Sequence, residues 1–190
     1  LETTLPVRRL LMSDPIRFHF DVDGENFSSA GEASVLVKKN GTVLKDAKTE
    51  ISGRLIGGCL DCLSNLAGTK FDKVSDFNEK YKEDGIIWFM ESCDLNPMGI
   101  RRALWQLKEA GWFQHVKAFL IGRPLCFGEE FLGLDQYRAV YDVLKGFKVP
   151  VIMDADLGHL PPSMPIISGG LAEVSVEERK IGRDLVIQYL

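Results

Sequence analysis

The 190-residue chain has no apolar run near the roughly 20 residues of a membrane span, no block of charge of one sign, no internal repeat and no low-complexity tract. The first absence argues against a helical membrane anchor. The second, with 23 basic and 27 acidic residues and a net charge of -4, argues against nucleic acid or an anionic lipid surface as a partner. Cysteine is sparse: Cys59, Cys62, Cys93 and Cys126 do not amount to a dense disulfide framework, so a reducing cytoplasm is the expected compartment. No secretory signal pattern opens the chain, and Leu1 stands where an initiator Met would. That reads as a processed chain or an excised domain, the second being the better fit to the rest of the sequence. What remains is ordinary globular composition, 45% hydrophobic and 26% charged, enough for one sizeable core or two small ones.

The most informative stretch is Gly85 to Glu91. Five apolar residues between a turn glycine and a polar loop predict a short strand buried on both faces, as in parallel or mixed sheets. Glu91 ends that strand just before a helix, where open α/β sheets place ligand-binding groups. The plain alternative is a carboxylate that only ends a strand and caps the helix. Pro97 to Ala110 follows, with Ile100, Ala103, Leu104 and Leu107 on one face, Pro97 suited to the first turn and Gly111 to the C-terminal cap. Val116 to Ile121 and Val149 to Met153 read as strands around a second helix, Asp135 to Lys145, carried by Val140, Tyr141 and Leu144. This β-α-β-α-β alternation predicts an α/β fold with a parallel or mixed sheet. Leu171 to Val176 and Arg183 to Tyr189 predict a terminal hairpin.

Before this core, residues 1–32 read as a connecting segment, and 33–190 as the folded domain. Asn40-Gly41 between β-rich runs at 34–38 and 42–45 predicts a hairpin, because its tight turn needs two positive φ angles. Ile51 to Gly58 reads as a short strand running into a glycine pair, Cys59 to Leu66 as a helical patch, and 69–84 as a polar connection.

Three chemistries are conceivable. His159 follows Gly158 in a Pro- and Gly-rich loop after a strand, and a carboxylate such as Glu91 accepting its second N–H would fix the tautomer and stabilise the imidazolium. A hydrogen-bonded structural histidine is the alternative, and His19 and His115 read as structural. Cys59 and Cys62 form a CxxC, which in isolation suggests redox chemistry or half a zinc site. No second such pair follows, so two buried thiols on a helix and no bound metal are expected.

Taken together, Arg54-Leu-Ile-Gly-Gly-Cys-Leu-Asp-Cys-Leu63 with Gly68-Thr69, Ile86-Ile-Trp-Phe-Met-Glu91, Ile100 to Gly111, and Gly158-His159 with Pro162 and Pro165 resemble the C-terminal domain of the LD-carboxypeptidase family of serine peptidases. That family includes muramoyltetrapeptide carboxypeptidases and microcin-C immunity peptidases. The resemblance implies a layered β/β/α swivelling-type domain and a Ser-His-Glu triad in which Glu91 and His159 are catalytic. It also implies a peptide substrate, no cofactor and a homodimer. The family's serine lies in a Gly-x-Ser-Asp elbow of an N-terminal domain. Here Ser13-Asp14 and Ser75-Asp76 are the only Ser-Asp pairs and neither follows that pattern. The nucleophile is thus expected on a missing N-terminal domain of the same protein, leaving this chain inactive alone. The family usually carries Asn where this chain has Cys59. A peptidyl-nucleotide amide is the alternative substrate to murein tetrapeptide. A non-catalytic binding or assembly domain ranks second among the functions, and chemistry at Cys59/Cys62 third.

Overall fold

The computed structural model describes residues 37–39, 42–43, 49–126, 128–161, 163–178 and 183–190. The connecting segment expected at 1–32, including His19, lies outside the described residues. Strands β3 (Thr49–Cys59), β4 (Ile86–Glu91), β5 (Val116–Gly122) and β8 (Val151–Ala155) run parallel in that order at the centre of one eight-stranded sheet. Antiparallel strands flank them: β9 (Leu171–Glu178) and β10 (Arg183–Tyr189) beside β3, and β1 (Val37–Lys39) and β2 (Thr42–Val43) beside β8. A separate short ribbon pairs β6 (Glu130–Phe131) with β7 (Leu134–Asp135). The main sheet is therefore mixed, with the β-α-β-α-β core and terminal hairpin that the apolar pattern predicts. Lys39 pairs with Thr42; Asn40 and Gly41 between them lie outside the described residues.

Strands β4 and β8 and most of β5 are mainly apolar because both their faces are covered. Ile86, Trp88, Met90, Phe119, Ile121, Val151 and Met153 point to a core shared with the helices. Ile87, Leu120 and Ile152 join Leu55, Val174, Val176, Leu185 and Ile187 in a second core on the other face. On the helical side α1 (Leu60–Leu66), α3 (Pro97–Glu109) and α4 (Gln136–Leu144) supply the cover. Helix α3 starts where the Asn96 side chain accepts the Gly99 N–H at 2.9 Å, with Pro97 at the first turn, and it buries Ile100, Ala103, Leu104 and Leu107. Helix α4 is capped by Asp135, which accepts the Arg138 N–H at 2.7 Å. It buries Val140 and Leu144 together with Ala139 and Val143, whereas Tyr141 is half-buried.

Two local expectations are corrected. The polar connection before β4 contains a helix, α2 (Val74–Lys80). Its buried face is Val74 and Asn78, with Phe77 packed beside the core. Asn78 Nδ2 donates to the Trp112 carbonyl at 2.7 Å, so a polar residue sits where an apolar one would have displayed the period. Strand β3 runs straight through the glycine pair to Cys59. Gly57 lies opposite Phe89 in the parallel pairing, and a Cβ there would overlap the Phe89 carbonyl oxygen. The glycine is a close-approach residue inside a strand, and helix α1 begins directly after Cys59.

Candidate active site

Parallel order puts the carboxyl ends of β3, β4 and β5 on one edge, and register does the rest. Cys59 is paired with Glu91, so neighbouring strand ends carry a thiol and a carboxylate side by side. Glu91 is buried to 6% side-chain exposure, whereas the His159 side chain is 49% exposed. His159 Nδ1 lies 3.0 Å from Glu91 Oε1 and 2.9 Å from Oε2, and the His159 backbone N–H donates to Oε2 at 3.3 Å. An ionised carboxylate can only accept, so Nδ1 carries the proton and Nε2 is left to accept or bind. Nε2 has no hydrogen-bond partner among the described residues.

Two glycines make this approach possible. Gly158 has φ +104°, and a Cβ there would overlap Glu91 Cγ and lie 2.6 Å from Oε2. Gly122, at the end of β5, would place a Cβ 2.9 Å from Glu91 Cβ. The carboxylate is thus seated between two backbones that only glycine lets close in.

The loop bearing His159 is pinned from below. Beyond Leu120 the β5/β8 register shifts, and Asp154 takes a left-handed φ of 60° within β8 at that irregularity, just before Ala155 pairs with Gly122. Tyr137 Oη donates to Asp154 Oδ2 at 2.8 Å. Burial pushes the Asp154 carboxyl up to about 6, against the opposing pull of Tyr137 and Arg123. Arg123 Nη2 bonds Asp156 Oδ1 at 2.8 Å and the Pro161 carbonyl at 3.2 Å. Both ends of this ion pair are buried, so it holds the loop without solvent competition. The Met164 N–H closes the loop onto the Asp156 carbonyl at 2.7 Å.

A second clamp fixes the loop after β4. Asp61, in the first turn of α1, accepts the backbone N–H groups of Cys93 at 3.0 Å and Asp94 at 2.9 Å, and the Cys59 S–H at 3.5 Å. Burial alone would raise the Asp61 carboxyl, but these N–H donors outweigh it and hold it below its ordinary value. Its contribution to stability is therefore complete above the ordinary 3.8 and lost as pH falls through the lowered value. Asp61→Ala should cost about 0.5–1.5 kcal/mol, the net worth of hydrogen bonds whose part-buried and exposed N–H groups can turn to water, read as a lowered denaturant midpoint.

The electrostatics centre on His159. The hydrogen bond that His159 donates to Glu91 and the charge of that carboxylate, supplemented by Asp61 and Asp94, raise the imidazole above its ordinary 6.5. The geometry thus brings Glu91 and His159 together and adds Cys59, whose placement the CxxC spacing does not announce. The expected pair of buried helical thiols is not found: Cys59 is half-buried at the end of β3, and Cys62 is exposed on α1. Burial, aided by Glu91 and Asp61, pushes the Cys59 thiol up to about 12. No sequence signal announces that placement: the juxtaposition comes from the β3/β4 register, which pairs Cys59 with Glu91. His115 lies apart in the turn before β5, exposed and with φ 57°.

Comparison with known proteins identifies the family of this α/β domain. The family model described as LD-carboxypeptidase C-terminal domain matches residues 52–174. The chain belongs to that family. A protein of Rickettsia conorii named as a carboxypeptidase is 31% identical over 121 residues, covering 62% of this chain and 33% of that protein. The microcin C7 self-immunity protein of Escherichia coli is 25% identical over 141 residues, covering 74% and 38%. Among solved structures, muramoyltetrapeptide carboxypeptidase from Oxalobacter formigenes shares the fold at TM-score 0.61 and 19% identity, covering 96% of this chain and 52% of that one. The wild-type apo form of the immunity protein does so at TM-score 0.59 and 20% identity, with 94% and 52% covered. The chain therefore spans about a third to a half of the length of these relatives. Among the described residues no helix is long and apolar enough to cross a membrane.

Proposed function

We propose that this chain supplies the histidine and glutamate of a serine-type LD-carboxypeptidase whose nucleophile lies on an N-terminal half. The observation that carries the reading is the two-point contact of His159 Nδ1 with the buried Glu91 carboxylate, which leaves Nε2 outward. The serine hydroxyl attacks the amide carbonyl next to a D-centre, and His159 Nε2 takes its proton. The same proton passes to the leaving amine as the C–N bond breaks, and water then hydrolyses the ester by the reverse roles. Glu91 orients the ring and stabilises the imidazolium.

The substrate is murein tetrapeptide, which loses its terminal D-amino acid, and the setting is the cytoplasm. A peptidyl-nucleotide amide is the alternative substrate, suggested by the similarity to the immunity protein. The proposed working protein is a homodimer, and the reaction requires no cofactor. The test is release of the terminal D-amino acid, with an aminoacyl sulfamoyl nucleotide assayed in parallel. Residues 1–190 alone should show no turnover, and the same chain joined to its serine-bearing half should show it. Turnover by 1–190 alone contradicts the split site. Full biological activity with both Glu91 and His159 replaced points instead to a binding or assembly domain.

A further inference from the structure

Cys59, Glu91 and His159 each offer a donor atom, and these three atoms lie within 4.8 Å of one another. Thiolate, imidazole and carboxylate are the ligands of late first-row divalent cations. Around a tetrahedral zinc, donors bound at about 2.0–2.3 Å sit roughly 3.3–3.8 Å apart. Nδ1 and the Glu91 oxygens, at 2.9–3.0 Å, open by a few tenths of an ångström to reach that spacing, and Sγ closes on them by about 1 Å, an adjustment the exposed His159 side chain and a Cys59 rotamer change can share.

We propose that Cys59, Glu91 and His159 form a three-ligand site for Zn²⁺ or a chemically similar divalent cation, with a fourth position open to water. Binding converts the Cys59 thiol to thiolate and releases its proton to solvent, so apparent affinity rises with pH. Until then burial and the neighbouring Glu91 and Asp61 carboxylates keep the thiol protonated. Those surroundings make Cys59 a poor nucleophile, yet the same negative charge favours a cation. Asp61, already 3.5 Å from Sγ, lies beside the ligand as an outer-shell carboxylate.

The consequence is inhibition, and this part alone rests on the peptidase reading. An ion on Nδ1 displaces the proton given to Glu91, and an ion on Nε2 occupies the lone pair that would accept the serine proton. Either way the imidazole can no longer act as a base. Cys59 thereby gives this protein a metal-sensitive off state.

The test is titration of 1–190, reduced and chelator-treated, with Co²⁺ followed by Zn²⁺. One equivalent of Co²⁺ should produce a thiolate-to-cobalt charge-transfer band that Zn²⁺ abolishes. Cys59→Ser should remove the band, and His159→Ala should weaken binding at least tenfold. A Cys62→Ala, Cys93→Ala, Cys126→Ala triple variant should keep both. His159 is an exposed loop residue, so its variant provides a second arm should Cys59→Ser fail to fold. No band in the parent chain, a band surviving Cys59→Ser, or affinity unchanged by His159→Ala would overturn the site. None of these readouts involves peptide hydrolysis, so they stand whatever the substrate assay returns.

Discussion

Replacement of His159 by alanine in the complete enzyme should lower kcat/KM about 10⁴-fold, leaving the residual rate that positioning and oxyanion stabilisation supply in triads of this kind. The loss should fall on kcat, since the imidazole acts on the reacting atoms and not on ground-state binding. The fold should survive. The His159 backbone N–H keeps its bond to Glu91 Oε2, and the Arg123–Asp156 clamp lies beneath the loop untouched. Circular dichroism and a thermal melt verify this while the kinetics are measured.

Glu91→Gln separates orientation from charge and fixes the sign of the pH profile. The carboxylate raises the His159 value above 6.5, and the base form appears only above the raised value. The acidic limb of kcat/KM should therefore lie above the ordinary histidine range, measured with chelator present. Glutamine should move that limb to lower pH while depressing the plateau. The stabilising pair itself runs the other way: it is complete below 6.5 and fades as pH rises through the raised value. On the proposed mechanism the complete enzyme should therefore operate where the unprotonated base is available and the ionic part of the contact has relaxed.

The second large effect is expected at Gly158. Alanine there must adopt φ +104° and place its Cβ inside the Glu91 side chain. The backbone strain amounts to about 1–3 kcal/mol, and relief requires the loop to lift away from the carboxylate. A displacement near 1 Å at a reacting group costs on the order of 10²-fold in rate, so Gly158→Ala should lower kcat/KM by about 10²–10³. The imidazole should also titrate closer to 6.5, as its NMR chemical shifts would report. A rate loss with the His159 titration unchanged would mean that the glycine serves something other than the Glu91 contact.

Particular residues show what the amino-acid order displays and what it conceals. Ile86 to Glu91 declares a doubly covered strand because every residue between the turn glycine and the carboxylate is apolar. Asn96-Pro97 and Gly111 bracket α3 because caps obey local chemistry. Glu91 is nameable from its strand-end position. Its meeting with His159 follows from no local rule, since 68 positions separate them; only the family resemblance pairs the two. Helix α2 is concealed by its buried Asn78, and the length of β3 by Gly57 and Gly58, which resemble a turn until the Phe89 backbone is seen against them. The pairing of β3 with β9, and of Cys59 with Glu91, are decisions of sheet order. Spacing along the chain carries no record of them.

The strand order also dictates a timetable for synthesis. Glu91 belongs to the strand between β3 and β5, its histidine arrives after β8, and β3 is covered on its outer side only when Leu171–Glu178 pairs with it. A chain emerging from the ribosome can build α3 from neighbouring residues. It cannot seat the carboxylate against the imidazole until residues beyond 159 have left the exit tunnel. Contacts this distant in sequence close slowly. The Glu91–His159 pair should therefore be among the last features to assemble, which makes its titration a reporter of completed folding.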